Sequence, residues 1–192
     1  MPDKTNCLSH DLYAAIGKFS VEFEQLCFEI QNTIITILSR EGLRNDNVMK
    51  ILLAGDTAEP LRQKLFALLP ETVRLNDQEK KILKNMFSRI QELINLRNDM
   101  LHSTWCIGWI EEPIEMASSA KGQKYDKNKN GANTKEFDFK VSDLNLLTEK
   151  AVRLKSLIIR LKVCLSAKIS IENNFCFTEE NMVVPTKAVI QP

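Results

Sequence analysis

The chain has almost no net charge, two histidines, no paired-cysteine motif and no long apolar run, and each shortage removes a class of function. A formal net charge of +1 argues neither for nor against a polyanionic partner, so any basic surface has to be local. The five cysteines, Cys7, Cys27, Cys106, Cys164 and Cys176, make no CxxC pair and no metal-finger spacing, and their number is odd. Reduced intracellular thiols are the reading this pattern favours. The two histidines, His10 and His102, have no cluster of cysteines or carboxylates around them in sequence, so neither a metal nor another cofactor is expected. The N-terminus, MPDKTNCLSHDLYAA, has no apolar run of signal-peptide type, and clusters such as IITIL and LIIRLKVCL are short or interrupted by charge. No membrane span and a cytoplasmic location follow as expectations. There is no internal repeat, and 192 residues suit one domain with room for an appendage.

What is present is helical periodicity. Over residues 8–40, Leu12, Ile16, Phe19, Phe23, Leu26, Ile30, Ile34 and Ile37 form one stripe, with Glu22, Glu24 and Glu29 outside it and Gly42 as a stop. A short segment over 47–54 precedes a second short helix over 58–69, capped by Asp56 or Thr57, tolerating Pro60 in its first turn and ended by Pro70. The run NDQE reads as a capping box, Asn76 with Glu79, opening a helix whose stripe is Leu83, Met86, Ile90, Leu93, Ile94, Arg97 and Leu101. Residues 105–141 turn β-branched and aromatic, then polar, then alternating, which suits a β-hairpin or flap. Its lysines, Lys121, Lys124, Lys127, Lys129 and Lys135, are either a solvated loop or a cationic contact for phosphates; Asp126 and Glu136 dilute the charge and tilt the balance to the former. Ser142 is placed to cap a last helix, whose apolar face runs from Leu144 through Leu147, Ala151, Leu154 and Leu161 to Leu165. The tail, 169–192, reads as strand-like, partner-docking or partly disordered.

One stretch does not fit an ordinary helical domain: LINLRNDMLHSTW, residues 93–105. On a wheel of about 100° per residue centred on Arg97, Met86 and Ile90 lie within about 20° and Leu93 and Leu101 within about 40°. Arg97 therefore sits mid-stripe. A guanidinium cannot be neutralised, so something anionic should meet it: Glu22 or Glu24, a carboxylate of a second subunit, or a ligand phosphate. Asn98 and His102, four residues apart, share a neighbouring face.

RNDMLH resembles the signature of the HEPN superfamily, an Arg followed after four to six residues by a His, often with Asn directly after the Arg. The order of a long first helix, a short helical segment, a motif helix and a final helix also resembles that family over residues 8–166, and the flap beginning HSTWCIGW resembles abortive-infection-like members. The resemblance implies an all-α fold, an antiparallel HEPN-like helical bundle over 8–168 with a β-hairpin or flap inserted at about 105–141 before the last helix. It implies a metal-independent endoribonuclease acting in antiviral defence or as a toxin, with a composite site at a homodimer interface. Arg97 and His102 match the catalytic pair and Asn98 its polar companion, while Lys121, Lys124, Lys127 and Lys129 would be weak RNA contacts. An antitoxin or other regulatory partner would fit that setting. Members silenced by a nucleotidyltransferase antitoxin often carry a Tyr two residues after the His; here that position is Thr104. The alternatives are a non-catalytic HEPN-like module that binds RNA or protein, and a helical adaptor whose partner docks on the tail.

The chemistry suits these side chains. RNA supplies its own nucleophile, the 2′-hydroxyl, and histidine titrates near working pH. Arginine holds a phosphate and offsets charge on its oxygens. Products would carry 2′,3′-cyclic phosphate and 5′-hydroxyl ends. Trp105 and Trp109 read either as stacking surfaces for unpaired bases or, more simply, as cover for the core beneath the flap.

Overall fold

A computed structural model describes residues 4–107, 119–128 and 131–186; for 4–8 and 126–128 it describes the backbone alone. Trp109, Lys129, the Lys127 side chain and the end of the tail, 187–192, lie outside the described residues. The helices are α1 (Lys4–Arg40), α2 (Asp46–Leu53), α3 (Ala58–Thr72), α4 (Asp77–Leu101) and α5 (Val141–Ala167). The strands are β1 (Thr104–Cys106), β2 (Ser119–Asn128), β3 (Gly131–Lys140), β4 (Phe175–Phe177) and β5 (Val183–Pro185). The all-α expectation is thereby corrected: the chain is largely helical but mixed, with a three-stranded sheet in the order β1-β2-β3 and a two-stranded sheet β4-β5, both antiparallel. The physical reason is that the residues directly after the motif helix, TWC, become a strand of the flap's sheet, and the tail pairs with itself. Contacts divide the chain into two compact units, Met1–Phe23 with Asn95–Ala151, and Glu24–Ile94 with Val152–Pro192.

In the second unit the helical stripes meet their expected fate. Leu26, Ile30, Ile34 and Ile37 of α1 are buried, as are Leu83, Met86, Ile90, Leu93 and Ile94 of α4 and Leu154, Leu157, Ile158, Leu161 and Leu165 of α5. α1 stops in a Schellman arrangement at Gly42 (φ 98°), whose N–H donates to the Ser39 carbonyl while Leu43 N–H reaches Leu38. Lys155 Nζ donates to Gln25 Oε1 at 2.6 Å, Lys162 Nζ pairs with Glu29 Oε2 at 2.6 Å, and Arg40 bonds the Leu165 carbonyl. These partners advance together along both helices, so α1 and α5 run the same way here. The start of α4 meets the residues that follow α5. Among the described residues no helix is long and apolar enough to cross a membrane.

Helix boundaries differ from expectation at Pro70 and at Ser142, and α4 ends at Leu101, short of the expected end near Trp105. Pro70 lies inside α3, which continues to Thr72. Proline lacks the N–H for the i−4 bond and its ring crowds the i−4 carbonyl, yet the last turn is still closed by Val73 N–H on the Leu69 carbonyl at 2.9 Å. α5 begins at Val141, one residue before the expected cap Ser142. Its start is held instead by Asp143, whose carboxylate accepts the Lys140 backbone N–H at 2.9 Å, a reach-back from the third helical position.

The capping box at α4 is present and does more than cap. Asn76 Oδ1 accepts the Glu79 N–H at 2.9 Å and Glu79 Oε2 accepts the Asn76 N–H at 3.2 Å. The other carboxylate oxygen, Oε1, accepts the Ile171 N–H at 3.0 Å, and Asn76 Nδ2 donates to Glu172 at 2.7 Å. The tail is thus stapled to the helix start and buries Ile171, Phe175 and Val183. Glu79→Ala strips two backbone N–H groups of their acceptor, and should lower unfolding free energy by about 1–3 kcal/mol in a urea titration. An unchanged urea midpoint would show that the staple carries no weight.

Candidate functional site

The last two turns of α4 carry the motif, and the buried stripe changes there. Met100 is buried and Leu101 is 43% exposed, so the helix's last apolar contact is Met100 and not the expected Leu101. Arg97 is half-buried. Its guanidinium carbon lies over the Phe23 ring, 5.4 Å from the centroid, and Nη1 donates to Asn98 Oδ1 at 3.3 Å. Phe23 is itself buried, so the cation rests against a buried aromatic ring. Glu22, half-buried, and Glu24, exposed, flank Phe23 in the α1 sequence. Asn98 is half-buried and His102 is exposed, one residue past the end of the helix.

A helix end leaves carbonyls without partners, and here the following residues supply them. His102 N–H donates to the Asn98 carbonyl at 3.1 Å, the Ser103 hydroxyl donates to the Asp99 carbonyl, and Trp105 Nε1 donates to the Met100 carbonyl at 2.7 Å. The turn that holds His102 is therefore fixed from both sides by its neighbours. Trp105 continues across the sheet: its register partner is Gly122, and its ring centroid is 6.1 Å from that of Phe139. Trp105 is half-buried in this seat.

The flap lysines divide. Lys121 is exposed. Lys124 is directed back onto the motif helix, with Nζ 2.8 Å from Asp99 Oδ1, and Lys135 Nζ is 3.7 Å from Asp99 Oδ2. Asp99 was missed by sequence reasoning. Its two partners become visible only once the strand register places Lys124 opposite Lys135. Among the described residues no group of three His, Cys, Asp or Glu side chains is placed to hold a metal ion, and no disulfide joins Cys27, Cys106, Cys164 and Cys176. Burial pushes the Cys164 thiol up from its ordinary value.

No family model matches the chain, and no curated protein or solved structure matches it.

The seat of Trp105 depends on Gly122 having no side chain. A Cβ there would lie 3.1–3.2 Å from the indole ring, closer than ordinary contact. Gly122→Val is expected to force the ring off the sheet and cost about 1–3 kcal/mol, read as a lowered melting temperature. A variant as stable as wild type would mean the ring gives way freely.

Proposed function

We propose that the chain is a metal-independent endoribonuclease of HEPN type, working as a homodimer in antiviral defence or as a toxin. The observation that supports this best is the end of α4: Arg97 seated on Phe23 and bonded to Asn98, with His102 exposed on the turn that follows. The resemblance of RNDMLH to the HEPN signature supplies the reaction class.

In this reading Arg97 holds the scissile phosphate and offsets the charge that builds on its non-bridging oxygens. His102 of one copy takes the proton from the 2′-hydroxyl. The freed oxygen attacks the adjacent phosphorus, the bond to the 5′-oxygen breaks, and that oxygen takes a proton from His102 of the second copy. The products are a 2′,3′-cyclic phosphate and a 5′-hydroxyl. Asn98 orients Arg97 through the bond it already accepts. Lys121 is exposed, and Lys124 is engaged by Asp99 and takes no part in RNA contact in this reading.

Wild type, Arg97→Ala and His102→Ala are incubated with total RNA in excess chelator, and product ends are analysed. Wild type is expected to leave cyclic phosphate ends and both variants to lose about 10²–10⁴-fold in rate. Because the His102 side chain is exposed, its removal should leave the melting temperature unchanged. Equal cleavage by His102→Ala would remove that residue from the mechanism. RNA binding without cleavage by any of the three would move the assignment to the non-catalytic module. Sedimentation at micromolar concentration should show a dimer, and a monomer would defeat the composite site.

A further inference from the structure

On the ribonuclease reading of the site, we propose that Asp99 is its positioning residue: a carboxylate shared by Lys124 and Lys135 that clamps hairpin β2–β3 to the last turn of α4 and thereby fixes the turn carrying His102.

The sheet register creates the need for such a group. Lys124 and Lys135 stand directly opposite each other across β2 and β3, and like charges opposed in this way destabilise a sheet. Asp99 answers both, with one carboxylate oxygen 2.8 Å from Lys124 Nζ and the other 3.7 Å from Lys135 Nζ. The Asp99 and Lys124 side chains are only 23% and 20% exposed, so solvent screens that arm weakly; Lys135, at 44%, is the looser arm.

The clamp closes a ring around His102. Asp99 is held by Lys124, and Thr104 pairs with Gln123, the residue beside Lys124 on the same strand. Two adjacent residues of β2 therefore grip both ends of segment 99–104, and His102 lies inside it. Moving that turn relative to Arg97 means breaking the ion pair, the strand pairing or the Trp105 bond to Met100. Asp99 itself has no part in proton transfer in this scheme. It acts through the place it gives His102, where a small displacement is costly to a reaction that depends on alignment.

A charge swap tests this. Asp99→Lys puts three cations together, whereas the double variant Asp99→Lys with Lys124→Asp restores one carboxylate between two ammonium groups. Hydrogen exchange of the β1 and β2 amides reads the clamp, and kcat against KM for RNA cleavage reads its effect on the site. Asp99→Lys is expected to speed amide exchange and lower kcat, each by about tenfold or more, with KM changed less than about twofold. The double variant should recover most of both. Asp99→Asn, which removes the charge with little change of shape, should move both readouts the same way by less, and serves if Asp99→Lys does not fold. Exchange in Asp99→Asn and Asp99→Lys as slow as in wild type would overturn the clamp. Recovered exchange with kcat still low in the double variant would overturn positioning, because the carboxylate at 99 would then matter for itself. If wild type cleaves no RNA, the ribonuclease reading and the positioning role fall together, while exchange alone still decides whether the clamp exists.

Discussion

The constraint on which the site depends is a permanent positive charge in the middle of a buried stripe. Arg97 continues the line of Met86, Ile90 and Leu93, all of which are buried. A guanidinium placed as deep as those residues would face a desolvation penalty of several kcal/mol. The structure avoids that depth. The stripe stays closed through Ile94, and the division between the two compact units falls directly after it, at Asn95. Arg97 comes where the helix is about to end, half-buried, with an aromatic face on one side and an amide oxygen on the other. A cation–π contact of this kind is worth about 0.5–2 kcal/mol according to its exposure, which offsets part of the desolvation and fixes the plane of the group.

The same turns must also end a helix, and the solution ties the helix to the sheet. The last carbonyls of α4 accept from a backbone N–H, a serine hydroxyl and a tryptophan indole within the next few residues. Trp105 serves the helix end and also covers the glycine gap in β2. Ordinary helix ends close with a glycine and a left-handed turn, as α1 does at Gly42. α4 has no such stop, and side chains from β1 and its approach take its place. His102 lies in that approach, between the helix end and β1, and is exposed.

Much of this was legible in the sequence, for reasons that are local. A stripe such as Leu26, Ile30, Ile34 and Ile37 repeats at the helical period and is buried almost wherever it packs. The box at Asn76 and Glu79 is defined by a three-residue spacing, and both of its bonds are present. The oddity of Arg97 was a matter of angle alone. What was hidden depends on register and on distance along the chain. The connection in KNKNGAN can be placed in more than one way, and shifting the pairing by one residue would change every cross-strand partner. The observed pairing, Asn128 with Gly131, is what sets Lys124 against Lys135 and gives Asp99 two partners. Likewise nothing in ISIENNF announces that Ile171 will find its acceptor in Glu79, 92 residues earlier. The all-α expectation failed on the same ground, since short strands such as TWC and FCF become strands only through partners far away in sequence.

On the proposed reading, the uneven exposure of the two key side chains bears on how the site would be completed. Arg97 is oriented before any substrate arrives, but His102 faces water. Charges and hydrogen bonds act weakly in so high a dielectric, and a catalytic base gains most when solvent is excluded around it. In that reading another surface would cover His102 during reaction. RNA alone would cover it with further negative charge and water. A second copy of the chain would bring a low-dielectric wall, a second Arg97 and a second His102, and so would supply both the missing enclosure and the acid that the leaving 5′-oxygen requires. One exposed histidine is a poor catalyst, and two facing each other across a symmetric contact would form an acid–base pair.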